Sequence, residues 1–229
     1  RASKVLYDRK NSAISQIKTG EVDWKNVLRE AKLFMVSGIT PALSESAREV
    51  VKEAAKEAKK AGCKVAIDLN YRAKLWSEKK ANECMSTLME NTDLLFTTEE
   101  DTFRVFGIKG KNYEEVAKKL NDKFGFEVIA VTLRENTSVW KNKWTAIAYS
   151  KGKIYKTKTY EIEIVDRLGG GDSFTAGCIW GYLQGDLQKG VDYGVAFSAL
   201  KHSIPGDINW VNIEEVESQV KGGGLRISR

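Results

Sequence analysis

The sequence of 229 residues predicts an α/β fold with a mostly parallel central sheet. Three observations predict it. Strand-like apolar runs alternate with helix-like segments from Trp24 to about residue 134. The stretch Cys63–Asn70 ("CKVAIDLN") is almost continuously apolar, as in strands buried on both faces. Polar residues follow several of these runs directly, and open α/β sheets bind ligands at the carboxyl ends of their strands.

The composition excludes several classes of protein. The chain is 42% hydrophobic and 30% charged, which is ordinary for a globular domain that buries its own core. It has no run of eighteen apolar residues and no signal-peptide pattern, so we expect no membrane partner. The three cysteines are odd in number and lack metal-ligand spacing, which indicates a reduced, cytoplasmic protein.

The net charge of +6 raises the question of nucleic acid. The densest basic run, Arg48–Gly62, carries its charges opposite an apolar face and places Glu and Lys at i,i+3 or i,i+4 spacing. This pattern is typical of a solvated outer helix. We therefore predict no nucleic-acid partner, and a preference for small anionic ligands instead.

The first half of the chain shows the alternation. Residues 44–61 predict a helix that ends at Gly62, and Ser77 is a predicted N-cap of a later helix. The other predicted elements are, in order, a helix in "DWKNVLREA", a strand in "KLFMVSG", the strand Cys63–Asn70, a strand in "DLLFTT", helices near 99–106 and 113–124, and the strand Phe126–Arg134.

The second half changes character. Residues 138–165 alternate apolar and polar side chains, which predicts antiparallel edge strands with turns at Lys141–Asn142 and Ser150–Gly152. Two apolar helices are predicted after residue 171, in "DSFTAGCIWGYLQGD" and "GVDYGVAFSALKHS", and a short helix near 213–220.

The segment Ile164–Gly177, "IVDRLGGGDSFTAG", is the strongest candidate site. Gly169, Gly170 and Gly171 permit a close approach of a ligand to the backbone, and the following helix start offers unpaired N–H groups and a partial positive charge. Asp172 follows at once and can accept a proton. A hydroxyl that attacks a phosphoryl group needs both features. A glycine-rich helix cap with a first-turn acid remains the structural alternative.

Two other strand ends carry polar clusters. "DLNYR" ends in Arg72, which can hold a carboxylate or phosphate in bidentate fashion, or can simply cap the next helix at the surface. "TTEED", Thr97–Asp101, could hold Mg²⁺ through water or could supply first-turn acids of a helix. We take Asp101 as a weak metal candidate.

Two further features complete the candidates. "TLRE" ends the next strand and could meet phosphate through Thr132 and Arg134. The single histidine, His202, follows an apolar helix, where a structural role is the commoner one.

Together these segments resemble the ribokinase-like (PfkB) sugar kinases. "DRLGGGDSFTAG" is similar to the family signature D-x-x-G-A-G-D-x-F, with Gly170 in place of the usual Ala. "DLNYR" matches D-x-N-x-R. Within the family, "SKVLYDRKNSAI", "SGITPAL", "LKHSIPGD" and "GGGLRISR" resemble the 2-keto-3-deoxygluconate kinases. The resemblance implies a three-layer αβα sandwich with a small β lid, and ATP and Mg²⁺ as cofactors.

The resemblance also implies residue roles. Asp172 would be the base for the terminal hydroxyl of the sugar acid, with Gly169, Gly170 and Gly171 as the anion hole. The resemblance places Arg72 at the carboxylate and Tyr7 and Arg9 at lid positions that touch the sugar. It places Thr132 and Arg134, with Gly169 and Gly171, on the nucleotide side. Thr98 and Asp101 replace the family's N-x-x-E.

The family's first strands and a Gly-Gly segment do not precede Arg1. We interpret residues 1–10 as a remnant of the β lid and residues 11–229 as the kinase domain, and we expect an unpaired sheet edge. The predicted function is phosphorylation of 2-keto-3-deoxygluconate by ATP. The alternatives are another kinase of the family, such as a fructokinase, or a non-catalytic fragment. The resemblance leaves open a homo-oligomer formed through the lid, and it does not separate the gluconate from the galactonate epimer.

Overall fold

The computed structural model describes residues 6–136 and 138–222 of the chain, with Asn136 described only in its backbone. It has the predicted α/β architecture, a sheet with parallel strands flanked by helices. The first five residues of the predicted lid remnant, and the tail from residue 223, lie outside the described residues. Within the described part of the chain, no helix is long and apolar enough to cross a bilayer.

The described strands are β1 (Leu33–Ser37), β2 (Lys64–Asp68), β3 (Leu94–Thr98), β4 (Val128–Asn136), β5 (Lys141–Ser150), β6 (Lys153–Lys156) and β7 (Tyr160–Glu163). The described helices are α1 (Ala13–Gln16), α2 (Trp24–Val27), α3 (Ile39–Leu43), α4 (Glu45–Lys60), α5 (Glu78–Met89), α6 (Glu99–Phe106), α7 (Tyr113–Phe124), α8 (Gly170–Leu183), α9 (Leu187–Lys201) and α10 (Ile213–Lys221). The strands are hydrogen-bonded in the order β1-β2-β3-β4-β5-β6, and β7 pairs with β5.

The chain divides into two compact units. The described part of the N-terminal unit comprises residues 6–131 and Tyr149–Lys153, and that of the C-terminal unit comprises residues 132–148 and 154–222. The division of the chain at residue 10 into a lid remnant and a kinase domain stays a prediction.

The N-terminal unit is built on parallel strands. Val36 of β1 lies opposite Ile67 of β2, which in turn lies opposite Leu95 of β3. Ile67 and Leu95 are fully buried, as expected for central strands covered by helices on both faces. The side chains of β1 are only half-buried, and β1 pairs only with β2 among the described residues. Among the described residues, β1 is therefore an edge strand of the sheet.

The longer described helices of this unit, α4 to α7, each begin at a residue whose side chain caps them. Ser44 caps α4 by accepting the N–H of Ala47 at 3.0 Å, and the helix ends before Gly62, whose φ is +78°. The same kind of N-cap begins three further helices, through Ser77, Thr98 and Asn112. These boundaries were predictable because each cap is a local hydrogen bond.

Two local predictions were wrong. The helix predicted from "DWKNVLREA" is only the four residues Trp24–Val27, after which buried Leu28 ends the helix. Lys141 and Asn142 lie within β5 and not in a turn. The chain reverses before them, where the N–H of Ser138 donates to the carbonyl of Lys141 at 3.0 Å. Asn142 and Trp144 share the buried face of β5, so alternation outweighs the turn preference of Lys-Asn.

In the C-terminal unit, β5 and β7 pair in antiparallel fashion, with Trp144 opposite Tyr160. The two predicted apolar helices, α8 and α9, belong to the same unit, and α9 packs against β7. The predicted turn at Ser150–Gly152, between β5 and β6, is also present, with φ of +49° at Lys151 and +80° at Gly152.

Glycines set the distance between α8 and α9. A Cβ at Gly181 would overlap the Cα of Gly190, and one at Gly177 would lie 2.7 Å from the Cα of Gly194. Since real Cβ atoms do not come so close, any side chain at these positions would push the helices apart. The backbone of α8 is therefore held directly against that of α9.

Gly181→Ala should lower the free energy of unfolding by about 1–3 kcal/mol, because the new methyl group overpacks the helix contact. Gly171→Ala, in the same helix, is the control: nothing lies within 4 Å of its Cβ position. It should be neutral or stabilising by up to about 1 kcal/mol. Urea unfolding measures both, and equal effects of the two substitutions would contradict this packing.

Candidate functional site

The three glycines form the entrance to α8 in the C-terminal unit. Gly169 is the N-cap and has a φ of +77°, a value that side-chain-bearing residues rarely adopt. A Cβ there would also overlap the carbonyl oxygen of Asp207. The first glycine is thus required both by its backbone conformation and by the close approach of another segment.

The start of α8 leaves backbone donors open. No side chain caps the helix, and among the described residues no acceptor binds the N–H of Gly171 or Asp172. Gly171 and Asp172 are exposed. Two N–H groups and the positive end of a 14-residue helix therefore lie beside an accessible carboxylate. The structure thus places Asp172 in the first turn of α8, and its predicted role as a base stays a prediction.

Side chains fix the carbonyls of the same loop. The Ser173 hydroxyl donates to the carbonyl of Gly169 at 2.8 Å, and the Ser198 hydroxyl donates to that of Gly170 at 2.7 Å. Asn209 donates in turn to the Ser173 oxygen at 3.0 Å. These hydrogen bonds hold the peptide planes of the loop, since each peptide unit is rigid.

Asp166 is an anchor that the sequence analysis missed. Its carboxylate accepts the N–H of Leu168 at 3.0 Å and that of Gly206 at 2.9 Å. The hydrogen bond from Leu168, together with that from Gly206, lowers the pKa of the Asp166 carboxyl below its ordinary value. The sequence did contain a signal for this residue, because Asp166 is the first residue of the quoted family signature.

His202 packs against the loop and is almost fully buried, with 4% exposure. Burial lowers its pKa below 6.5, and the positive charges of Lys201, Arg167 and Arg134 lower it further, although the hydrogen bond to Ser198 acts in the opposite direction. Arg134 at the end of β4 is thus within electrostatic reach of the residue that covers the glycine loop. Thr132, on the same strand, is half-buried.

In the N-terminal unit, the ends of β1 and β2 are tied together. The Asn70 side-chain amide donates to the Ser37 hydroxyl at 3.0 Å, and the N–H of Gly38 donates to the carbonyl of Asp68 at 2.8 Å. A Cβ at Gly38 would overlap the carbonyl oxygen of Leu69. "DLNYR" therefore follows a strand end whose backbone is fixed by "SGITPAL".

Arg72 and Asp101 are electrostatic neighbours in this unit. Burial raises the pKa of the Asp101 carboxyl, and the Arg72 charge, the Thr98 hydroxyl and the Tyr71 N–H lower it again in part. Arg72 is exposed and donates to the carbonyl of Tyr71 at 3.1 Å. Asp101 thus joins the two strand-end clusters that the sequence singled out.

The acids of "TTEED" lie in the first turn of α6, with Thr98 as its N-cap, which was the structural alternative for this segment. Among the described residues, no group of three His, Cys, Asp or Glu side chains could hold a metal ion. Since protein donors surround the Asp101 carboxylate, it is a poor direct ligand. Its predicted part in binding magnesium stays a prediction.

Tyr7 and Arg9 contact each other. The Arg9 guanidinium lies 3.9 Å from the centre of the Tyr7 ring, and Tyr7 is 53% exposed. This cation–π pair presents a charge and a ring to solvent. The predicted contact of the pair with a sugar is untested.

A cavity of about 290 Å³ lies between α8, α9 and the start of α10 in the C-terminal unit. Its lining is largely apolar and includes Ala176, Trp180, Phe197 and Val211. Ala176 is one helical turn, about 6 Å, beyond Asp172. The sequence analysis did not identify this cavity, because its walls come from three separate segments.

Comparison with known proteins identifies the family. Residues 3–213 match the model of the pfkB family carbohydrate kinases. The chain belongs to this family. It is 34% identical over 230 residues to a 2-dehydro-3-deoxygalactonokinase from Haloferax volcanii, covering 100% of this chain and 69% of the relative.

Solved structures agree with this family assignment. The 2-dehydro-3-deoxygluconokinase from Thermotoga maritima superposes with a TM-score of 0.93 and 40% identity, covering 96% of this chain and 68% of that one. An E. coli protein provisionally described as ribokinase II, solved with ATP and Mg²⁺, gives a TM-score of 0.80 at 22% identity, covering 95% and 67%. The predicted ribokinase-like fold class is confirmed. The chain spans about two thirds of the length of these pfkB relatives.

The lowered pKa of His202 predicts a pH dependence of stability. Because the folded state binds the proton less readily than the unfolded chain, the stabilisation is complete above pH 6.5 and declines as the pH falls towards the folded-state pKa. Urea unfolding at pH 7.5, 6.5 and 5.5 should show this loss. His202→Gln should make the decline shallower over this range. An unchanged slope would show that His202 does not titrate in this way.

Proposed function

We propose that this pfkB chain is the catalytic part of an ATP-dependent kinase that phosphorylates the terminal hydroxyl of 2-keto-3-deoxygluconate. The observation that carries the proposal is the exposed carboxylate of Asp172 beside the open N–H groups at the start of α8. The substrate class is supported by the similarity to a 2-dehydro-3-deoxygluconokinase and a 2-dehydro-3-deoxygalactonokinase, at 40% and 34% identity. Either epimer is compatible with these relatives.

In the proposed mechanism, Asp172 accepts the proton of the attacking hydroxyl. The N–H groups of Gly171 and Asp172 stabilise the negative charge on the transferred phosphoryl oxygens. Phosphoryl transfer needs little covalent help from the protein, so positioning and charge stabilisation account for most of the rate. Mg²⁺, when bound with ATP, would neutralise phosphate charge, held largely by phosphate oxygens and water.

The remaining roles follow the family resemblance. We propose that Arg72 binds the carboxylate of the sugar acid and that Tyr7 and Arg9 contact the sugar. Arg72 suits this role because its planar guanidinium is exposed, shortly after the end of β2, and carries five N–H donors in a fixed fork. Thr132 and Arg134 are proposed on the nucleotide side.

We propose that the base of ATP binds in the apolar cavity beside α8. With the terminal phosphate at the start of α8, the nucleoside extends away from Asp172, and the cavity begins about one helical turn further along. Its volume of about 290 Å³ suffices for a purine. Apolar walls suit the faces of a planar base.

The cytoplasmic location and a homo-oligomer formed through residues 1–10 stay predictions. All three cysteines are free and buried.

Asp172→Asn should lower kcat by about 10²–10⁴-fold, because the amide cannot accept the proton. The Kd of ATP should stay within about threefold of wild type, since the backbone donors remain. Steady-state assays and calorimetry on the full-length protein measure the two quantities. Glu214→Gln is the control, because Glu214 is also an exposed first-turn acid. Turnover of the Asp172 variant within tenfold of wild type would refute the mechanism.

Arg72→Gln should lower kcat/KM for the sugar acid by about 10- to 150-fold, the equivalent of a charged hydrogen bond worth about 1.5–3 kcal/mol. Activity with fructose, which has no carboxylate, should not fall. Arg29→Gln is the control, since Arg29 is exposed and, within the part of the chain that the structure describes, forms an ion pair only with its neighbour Glu30. Measuring kcat/KM with 2-keto-3-deoxygluconate, its galactonate epimer and fructose ranks the three substrates. Preference for fructose in the wild type would favour a fructokinase.

A further inference from the structure

Gly170 is a glycine for a reason other than its backbone conformation. Its φ is not positive, so the helical geometry would accept alanine. A Cβ at this position would lie 2.7 Å from Cε1 and 3.1 Å from Nε2 of the His202 ring. The imidazole therefore fills the space in which a side chain of residue 170 would stand.

The His202 ring cannot easily move aside. Its Nδ1 lies 2.7 Å from the carbonyl of Ser198, so the ring proton on Nδ1 is donated there. On another side, the ring is tilted against Trp144, with 5.4 Å between the ring centroids. With 4% exposure the imidazole is confined by the core.

His202 also holds the chain that leads into the loop. Its backbone carbonyl accepts the N–H of Val165 at 2.8 Å and that of Asp166 at 3.2 Å. The residue thus contacts the loop twice, through its carbonyl at the entrance and through its ring at Gly170. The sequence alone did not indicate this double contact.

The peptide between Gly170 and Gly171 connects this packing to the site. The Ser198 hydroxyl holds the carbonyl of that peptide, and the His202 ring occupies the space where a Cβ of residue 170 would lie. Because a peptide unit is planar, a fixed carbonyl fixes the direction of the Gly171 N–H. That N–H is one of the open donors at the start of α8.

We propose that His202 is a positioning residue for phosphoryl transfer, whose ring sets the peptide plane that aims the Gly171 N–H at the phosphoryl group. The proposal rests on the kinase function proposed above. It explains why this chain combines a glycine at position 170 with a histidine at position 202. It assigns no proton transfer to the imidazole.

A double-mutant cycle with Gly170→Ala and His202→Asn tests the proposal in the full-length protein. Asparagine can keep a donor near the position of Nδ1 while removing Cε1 and Nε2, the atoms that face Gly170. The measurements are kcat with ATP and the preferred sugar acid, the Kd of ATP without sugar, and the thermal midpoint. Gly171→Ala, with open space at its Cβ, is the control for thermal stability alone.

Gly170→Ala should lower kcat at least 100-fold and weaken ATP binding about tenfold or more. His202→Asn should lower kcat about tenfold with little change in KM for the sugar. The double variant should exceed Gly170→Ala in kcat by at least tenfold, because the methyl group then has room. Additive losses in the double variant, or a Gly170→Ala protein with wild-type kcat and ATP affinity, would overturn the proposal.

Failure of the positioning proposal and failure of the kinase proposal give different results. If Gly170→Ala does not fold, His202→Asn decides: wild-type kcat and ATP affinity in that variant would show that the ring volume is irrelevant. If the wild type phosphorylates no sugar acid, the kinase proposal fails by itself. The coupling between positions 170 and 202 in ATP affinity would still support a positioning role, and its absence would refute one.

Discussion

The short distance between the glycine loop and the last turn of α9 is the constraint on which the rest of the site depends. Consecutive residues meet consecutive glycines there: the Lys201 side chain lies near Gly169, and the His202 ring lies near Gly170. Lys201 is fully buried and donates to the carbonyl of Ile204 at 2.8 Å. A polar anchor thus holds the surface on which the loop rests. The backbone groups of the glycine loop can be only as rigid as this support.

Close packing also holds α8 against α9, further from the candidate site. Glycines bring the two backbones together, so the direction of α8 and its dipole follow α9. In the N-terminal unit, the close contact of Gly38 with Leu69 has a similar effect on "DLNYR". In both units, close backbone contacts help to place a polar segment at a candidate site.

Local signals were read correctly where a single hydrogen bond or period decides the outcome. The caps Ser44 and Ser77 begin the helices that the sequence predicted. The turn at Lys141–Asn142 failed because pairing with β7 places Asn142 opposite Ile162 in a buried row. The pairing energy of a strand comes from residues distant in sequence, so a local turn preference did not reveal it.

The sequence by itself determined the α/β class, the family signature, and the acid and glycines at the start of α8, because these depend on composition, period and short motifs. Only the tertiary structure decided which neighbours those residues have. It brought Asp101 to Arg72, Asp166 to Gly206 and His202 to Gly170, pairs separated by about 30 to 40 residues. Such contacts arise from packing and burial, which no local pattern records. Gly170, which stands in place of the family's usual alanine, is in the folded chain the partner of a buried imidazole.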